Sequence, residues 1–413
     1  MRNREYSAFM LLNAPGFGAK SIYYIYENLE KNNLTVNDLF DLDNSQYSKL
    51  FPEIGQGKFS KASFTSLASL DDDKMYSSFQ KLKDEQVFII GLDDERYPQS
   101  IKEKLKQNSP PVLFCKGYLP LLNTKGISIV GSRDVSDFAI MLTKRIANRL
   151  AEQGFNVTSG YAKGVDTSAH LGALEGNGTT TMILSYGVNH LSIKKDIKQF
   201  NWEKNTLFVT QFMPYEKFSG QNAMIRNKLV CAMSQAVIVI SSGPERDSSG
   251  KMSGTFDAGL TAIKYKIPLF VLNPSILNPA PKGNADLIKI GGIPLANGNE
   301  LIQHLEMLDA TKIVASTNSS YTEQEFIDIK NNNTEEPKPP LYGNTEDIKQ
   351  RILNIFVDSP LTISEIIEKS NLNWTTQKLT SYLKKINEIE IIKKGRSNYY
   401  RKRNSPVQAS FTF

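Results

Sequence analysis

The 413-residue chain holds two cysteines, three histidines and two tryptophans, and each scarcity removes a class of chemistry. Cys115 and Cys231 sit in Val-Leu-Phe-Cys and Leu-Val-Cys-Ala, where a thiol behaves as a small buried hydrophobe. Reduced core residues are expected there, not a disulfide framework or a thiolate metal site. His170, His190 and His304 lack the spacing of metal ligands, which argues against a zinc enzyme. No apolar run approaches the length of about twenty residues that a membrane helix needs. Met1-Arg2-Asn3-Arg4-Glu5-Tyr6 also lacks the basic-then-apolar layout of a secretory signal. The expectation is a soluble, cytoplasmic protein with no membrane contact, no cofactor and no metal.

What is present fits two or three domains, given the length and a hydrophobic content of 40%. Residues 1–90 show apolar positions three and four apart, as in Tyr6-Ser-Ala-Phe-Met-Leu-Leu and Ile22-Tyr-Tyr-Ile-Tyr-Glu-Asn-Leu, the period of short amphipathic helices. Between the first two, Asn13-Ala-Pro-Gly-Phe-Gly-Ala-Lys20 looks like the turn of a helix-hairpin-helix module, whose amides can meet a phosphate. The same residues equally make an ordinary tight connection.

Over 91–310 the texture is β-branched runs alternating with helical patterns. The strands read as Gly126-Ile-Ser-Ile-Val-Gly131, Phe155-Asn-Val-Thr-Ser159, Thr179-Thr-Thr-Met-Ile-Leu-Ser185, Leu207-Phe-Val-Thr210, Ala236-Val-Ile-Val-Ile-Ser241 and Ile267-Pro-Leu-Phe-Val-Leu272. Continuous apolar strands imply a sheet covered on both faces, and repeated βαβ units imply an α/β, Rossmann-like, doubly wound and mostly parallel sheet. Residues 311–344 are rich in Asn, Thr, Glu and Pro and read as a linker. Over 345–404, helical spacing at 346–356, 362–370 and 375–386 precedes a β-hairpin turning at Gly395, the pattern of a winged helix. Residues 405–413 form a tail.

The net charge of +6 is modest, but Lys393 to Arg403 carry six basic side chains and no acid. Lys393, Lys394 and Arg396 on this wing, with Lys378 in the helix that Trp374 opens, are candidate contacts to duplex DNA or a partner. Lys-rich hairpins also serve as plain solvated surface.

Ligands of an open α/β sheet bind beyond the carboxyl ends of its strands, so four segments stand out. Gly131-Ser132-Arg133 offers close backbone approach, a hydroxyl and a guanidinium fork suited to phosphate; Gly-Ser after a strand also makes a mere turn. Ser159-Gly160-Tyr-Ala-Lys163-Gly-Val-Asp166-Thr-Ser-Ala-His170 is a small-residue loop in which Asp166 is placed to cap the next helix and His170 to make a local hydrogen bond. Arg226-Asn227-Lys228 interrupts an apolar helix, where a polar trio must be paired or face a ligand. Ser253-Gly254-Thr255 opens a helix with hydroxyls and a glycine.

Together and in order, these motifs resemble the DNA-processing protein A (DprA, or Smf) family. The pattern is carried by Arg96-Tyr97-Pro98, Pro110-Pro111-Val-Leu-Phe, Val130-Gly-Ser-Arg133, Ser159-Gly-x-Ala-x-Gly-x-Asp166, Ala169-His170, Arg226-Asn227, Ser253-Gly254-Thr255 and Gly283-Asn284. The resemblance implies a single-stranded DNA-binding protein that forms homodimers, is not an enzyme, and helps load a RecA-like recombinase in natural transformation or recombination. It makes Arg133, Lys163 and Arg226 the carriers of the phosphate backbone. Gly131, Ser132, Ser159, Gly160, Asn227, Lys228, Ser253, Gly254 and Thr255 complete the expected surface, and a basic pocket of this kind tracks phosphates without reading bases.

The sequence departs from the family pattern along the same edge. Val188-Asn-His-Leu-Ser-Ile replaces a Tyr-Pro continuation, Thr210-Gln211 replaces Ser-Glu, and Ser241 replaces an acid ahead of an insertion through Lys251. Those changes leave open a role in phage defence or as a toxin antidote. A phosphoribohydrolase-like enzyme or nucleotide sensor is a rival. Its loop would need a carboxylate at Ala258, and Asp257 is one residue early on a helix. A ligand-sensing transcriptional regulator is the other rival.

Overall fold

The computed structural model describes residues 3–305, apart from Lys58, Ser69, Asp71, Lys125 and Asn299, and parts of 352–402. The chain divides into two compact units, one built on Met1–Ala310 and the other on Thr311–Ser410.

The first unit opens with helices α1 (Arg4–Asn13), α2 (Ala19–Lys31), α3 (Asn44–Leu50), α4 (Phe64–Ala68) and α5 (Asp72–Asp84). Asn3 caps α1 through a 2.8 Å bond from the Tyr6 amide. The turn between α1 and α2 spends its amides internally: Phe17 N–H donates to Ala14 O and Gly18 N–H to Ser21 Oγ. Gly16, at φ +81°, lies where any Cβ would run into the Lys61 carbonyl. The turn is therefore a packed connection, and its Phe17 and Gly18 donors are not open to a phosphate.

The chain then enters β1 (Phe88–Gly91), α6 (Gln99–Leu105) and β2 (Val112–Gly117). It continues through β3 (Gly126–Val130), α7 (Asp137–Glu152), β4 (Asn156–Gly160), α8 (Val165–Glu175), β5 (Thr180–Ile183), α9 (Lys195–Lys198), α10 (Trp202–Asn205) and β6 (Thr206–Thr210). The second half holds α11 (Gly220–Ala232), β7 (Ser234–Val239), α12 (Gly254–Lys264), β8 (Leu269–Leu272), α13 (Lys282–Lys289) and β9 (Ile293–Leu295).

Among the described residues these strands make one nine-stranded sheet in the order β1-β2-β6-β5-β4-β3-β7-β8-β9. The pairs β1–β2 and β2–β6 are antiparallel and the others parallel. Every residue of β3 and of β4 is buried, as two-sided coverage requires. Helix α7 is capped by Ser136 and buries Leu142, Ile146 and Leu150, with Gly154 at φ +79° ending the turn beyond it. The six apolar runs read as strands all lie in this sheet. Strands β1, β2 and β9 extend it beyond that reading.

The amino-terminal helices share one cluster of buried residues with the β1–β2 edge, running from Tyr6, Phe9 and Leu11 to Ile90, Leu113 and Val209. Glu5 ties α1 to α5 by accepting from Lys83 Nζ at 2.6 Å, and across that seam by accepting from Arg96 Nη2 at 3.0 Å. Arg96 also holds Asp94 at 2.6 Å.

The second unit contains a three-stranded antiparallel sheet of β10 (Leu361–Thr362), β12 (Ser397–Lys402) and β11 (Ile389–Lys394), with a helix at Ile363–Ser370. Lys394 pairs with Ser397 across the expected hairpin turn. Trp374, Lys378 and Arg396, the linker 311–344 and the tail 405–413 lie outside the described residues.

Candidate nucleic-acid interface

The sheet order reverses between β3 and β7, since β4 to β6 extend to one side of β3 and β7 to β9 to the other. The crevice at that reversal is where such sheets hold ligands. The loop after β3 lines it. Ser132 N–H donates to Ser241 O at 2.8 Å and Ser132 O accepts from Val165 N–H at 3.3 Å. A Cβ on Gly131 would overlap Val165, so this glycine exists to let α8 close on the loop. Arg133 is exposed and stands 5.6 Å over the Phe218 ring.

Below it lies a buried ion pair. Arg226, on α11, is 6% exposed, and its Nη1 stands 3.8 Å from Asp166 Oδ2. Burial raises the Asp166 carboxyl above its ordinary value and Arg226 opposes that shift. Burial likewise lowers the Arg226 guanidinium, against the pull of Asp166 and with the push of Arg133. Arg226 Nε has no protein partner. A Cβ on Gly160 would occupy the space of both Arg226 Nη1 and Asp166 Oδ2. That close approach is the reason for glycine at the end of β4.

Asp166 is thus not the helix cap expected from sequence. The cap position of α8 is Gly164, and Asp166 sits in the first turn with its carboxylate turned inward to Arg226. The His170 bonds are not the local ones expected: Nε2 is 2.5 Å from Gly160 O on β4 and Nδ1 2.6 Å from Thr180 Oγ1 on β5, so the ring ties α8 to two strands. Burial lowers its pKa from 6.5 to about 3, which keeps the ring neutral.

The remaining expected residues divide by burial. Lys163 is exposed in the loop between β4 and α8, and Lys228 is exposed on α11. Ser159 is fully buried and donates to Ile129 O at 2.6 Å, so it shapes the loop from beneath and does not face a strand. Asn227 is also turned inward, its Nδ2 donating to Gly254 O at 2.9 Å and Asp257 Oδ2 at 3.1 Å. Ser253 caps α12 by accepting from Phe256 N–H, Gly254 is exposed and Thr255 half-buried. The insertion before it folds into a tight finger, with Arg246 bridging Met252 and Asp247 accepting from the Ser249 and Lys251 amides. In the second unit, Lys393 and Lys394 lie on β11.

Two residues outside the segments singled out from sequence, Lys194 and Phe218, join the edge. Lys194 Nζ reaches Thr167 Oγ1 at 2.6 Å and lies 4.3 Å over the Tyr161 ring; Phe218 is 52% exposed beneath Arg133. Lys194-Lys195-Asp196 reads as solvated surface, so only the fold brings Lys194 inward. Cys115 and Cys231 are free and buried, on β2 and α11. Among the described residues no cluster of acids, histidines and cysteines is placed to hold a metal, and no helix is long and apolar enough to cross a membrane.

A family model described as DNA recombination-mediator protein A matches residues 88–306, more than half of the chain. The chain belongs to that family. Among relatives, Protein Smf of Escherichia coli (strain K12) is 27% identical over 220 residues, which are 53% of this chain and 56% of that protein. DNA processing protein DprA of Streptococcus pneumoniae is 26% identical over 239 residues, 57% of this chain and 79% of that protein. A solved structure of DNA processing protein A from S. pneumoniae shares the fold, with a TM-score of 0.57 at 23% identity over 73% of this chain and 98% of that one. For the recombination-mediator family, the matched span runs from β1 to α13 and beyond, and excludes helices α1 to α5 and the second unit.

Proposed function

We propose that this chain is a single-stranded DNA-binding recombination mediator that grips the phosphate backbone at the carboxyl edge of β3 and β4. The carrying observation is the arrangement around Asp166. Its carboxylate is sunk against the buried Arg226, while Arg133 and Lys163 stand exposed above. Asp166 is thereby withdrawn from the surface that Arg133 and Lys163 present, and exposed cations backed by buried structure suit a polyanion read without regard to sequence. Membership of a recombination-mediator family, and relatives named as DNA processing proteins, support the same reading.

By the family resemblance the proposal extends to homodimers, to handing the strand to a RecA-like recombinase, and to a cytoplasmic setting in DNA uptake. It keeps a small helical domain over 1–90, the DNA-binding domain over 91–310 and a winged helix over 345–404, whose strands β10 to β12 and helix Ile363–Ser370 agree with that fold. Its wing, with Lys393, Lys394 and Arg396, and Lys378 are assigned to duplex or partner contacts. The replaced segments after β5, β6 and β7 favour a divergent client, such as phage defence or a toxin pair.

The test is a salt titration of binding to an oligo-dT strand, a duplex and a panel of nucleotides. The expected outcome is tightest binding to the single strand, with a log–log salt slope about 0.7 shallower in each of Arg133→Ala and Lys163→Ala, since each removes one phosphate neutralisation. Preference for a nucleotide would support the sensor or hydrolase. Asp257 is already engaged by Asn227 and Ala258 is buried, which leaves that chemistry without its carboxylate. Preference for the duplex would support the transcriptional regulator.

A further inference from the structure

Lys194 stands outside every motif of the family pattern, directly after the Val188–Ile193 stretch that replaces the Tyr-Pro continuation beyond β5. Its ammonium is nevertheless turned into the loop between β4 and α8. Three oxygens converge on it: Thr167 Oγ1 at 2.6 Å, Tyr161 O at 3.3 Å and Ala162 O at 3.3 Å. The Tyr161 ring lies 4.3 Å away. The clasp is mutual, because the Lys194 amide donates to Tyr161 Oη at 2.8 Å and that hydroxyl reaches Ser192 O at 3.3 Å.

Thr167 Oγ1 itself donates to Ala162 O, so without the ammonium this loop would present the Tyr161 carbonyl and the lone pairs of Thr167 Oγ1 near the buried Asp166, an arrangement that attracts cations and repels phosphate. With it, those oxygens are covered and the loop can accept an anion. The same contacts fix Lys163. On one side Ala162 O is held jointly by Lys194 and by the Thr167 hydroxyl that Lys194 itself contacts; on the other, Gly164 at φ +74° is packed so tightly on the Ser132 and Arg133 backbone that a Cβ would overlap it. Only the Lys163 side chain projects outward.

We infer that Lys194 is a positioning residue of the DNA site: it neutralises the oxygen-lined loop between β4 and α8 and holds Lys163 toward the phosphate, without itself touching DNA. The inference rests on the single-strand reading above, and its test separates the two. Binding of the full chain to oligo-dT is measured by fluorescence anisotropy for Lys194→Ala, Lys194→Met, Lys163→Ala and the double variant Lys194→Ala/Lys163→Ala. Amide hydrogen exchange at Ala162–Gly164 is followed alongside.

Lys194→Ala is expected to weaken binding about tenfold, a loss typical of one charge-assisted contact, and to speed exchange in the loop. Adding Lys163→Ala to Lys194→Ala should then cost little more, because the second lysine is already misplaced. Methylammonium chloride, compared with sodium chloride at equal ionic strength, should restore binding to Lys194→Ala by filling the vacated place. It should not restore Lys194→Met, whose side chain fills that place without charge. Additive losses with unchanged loop exchange would make Lys194 a direct phosphate contact and overturn the inference, as would unaltered binding in Lys194→Ala. If the unsubstituted chain binds no oligo-dT, the single-strand reading fails. The exchange measurement still decides on Lys194, since rates unaffected by its removal or by methylammonium would overturn the clasp.

Discussion

At the scale of single residues, the site is organised by what is buried. A lone buried charge is costly, and removing one partner of a buried pair typically destabilises a fold by about 3–5 kcal/mol. Arg226→Ala strands Asp166 in that way; urea unfolding should show a loss of that size, with part of it recovered in Arg226→Ala/Asp166→Asn. Gly160→Ala should mimic the Arg226 defect, because its methyl group takes the volume of the guanidinium. His170 sets an acid limit. Its pKa falls from 6.5 to about 3 on burial, so the neutral ring favours the folded state fully above pH 6.5, and that contribution drains away as pH drops toward 3. The melting temperature should fall over that window in the unsubstituted chain, and His170→Gln should flatten the fall.

At the scale of elements, the six central strands were legible because burial on both faces writes a continuous apolar run. Strands β1, β2 and β9 were not: β1 and β9 are edge strands of four and three residues, and the antiparallel β2 lies outside the repeated βαβ pattern that marks the others. Helix α11 shows what pattern alone cannot resolve. Its polar trio had to be paired or ligand-facing, and it splits: Arg226 and Asn227 turn inward to Asp166 and Asp257, while Lys228 is exposed to solvent. No local signal links Arg226 to Asp166, sixty positions away, and the capping reading of Asp166 failed because Gly164 already occupies the cap position. Asn227 ties α11 to α12 through Gly254 O. Asn227→Ala should therefore cost about 1–3 kcal/mol, the usual penalty for stranding a buried partner, and leave the salt slope of DNA binding unchanged. A slope that shifts with Asn227 would make it a backbone contact.

At the scale of the whole molecule, the two compact units predict separable activities. Removing residues after 344 should leave single-strand binding and its salt slope nearly intact, and abolish whatever duplex or partner binding the second unit provides. Loss of single-strand binding on that truncation would move the main site to the second unit. The amino-terminal helices should behave oppositely. Glu5 is bound to Arg96, and α1 shares its core with β1 and β2, so heating should melt them together with the sheet in one transition. An early separate transition would show that the seam is weak.

The antiparallel edge also sets a timetable for synthesis. Strand β1 pairs with β2, but β2 obtains its other neighbour from β6, at Leu207–Thr210. A chain growing at roughly 5–20 residues per second exposes α1 to α5 several seconds before the edge that seats them is complete. Tyr6, Phe9 and Leu11 then wait as sticky apolar surface on the nascent chain until that edge is in place.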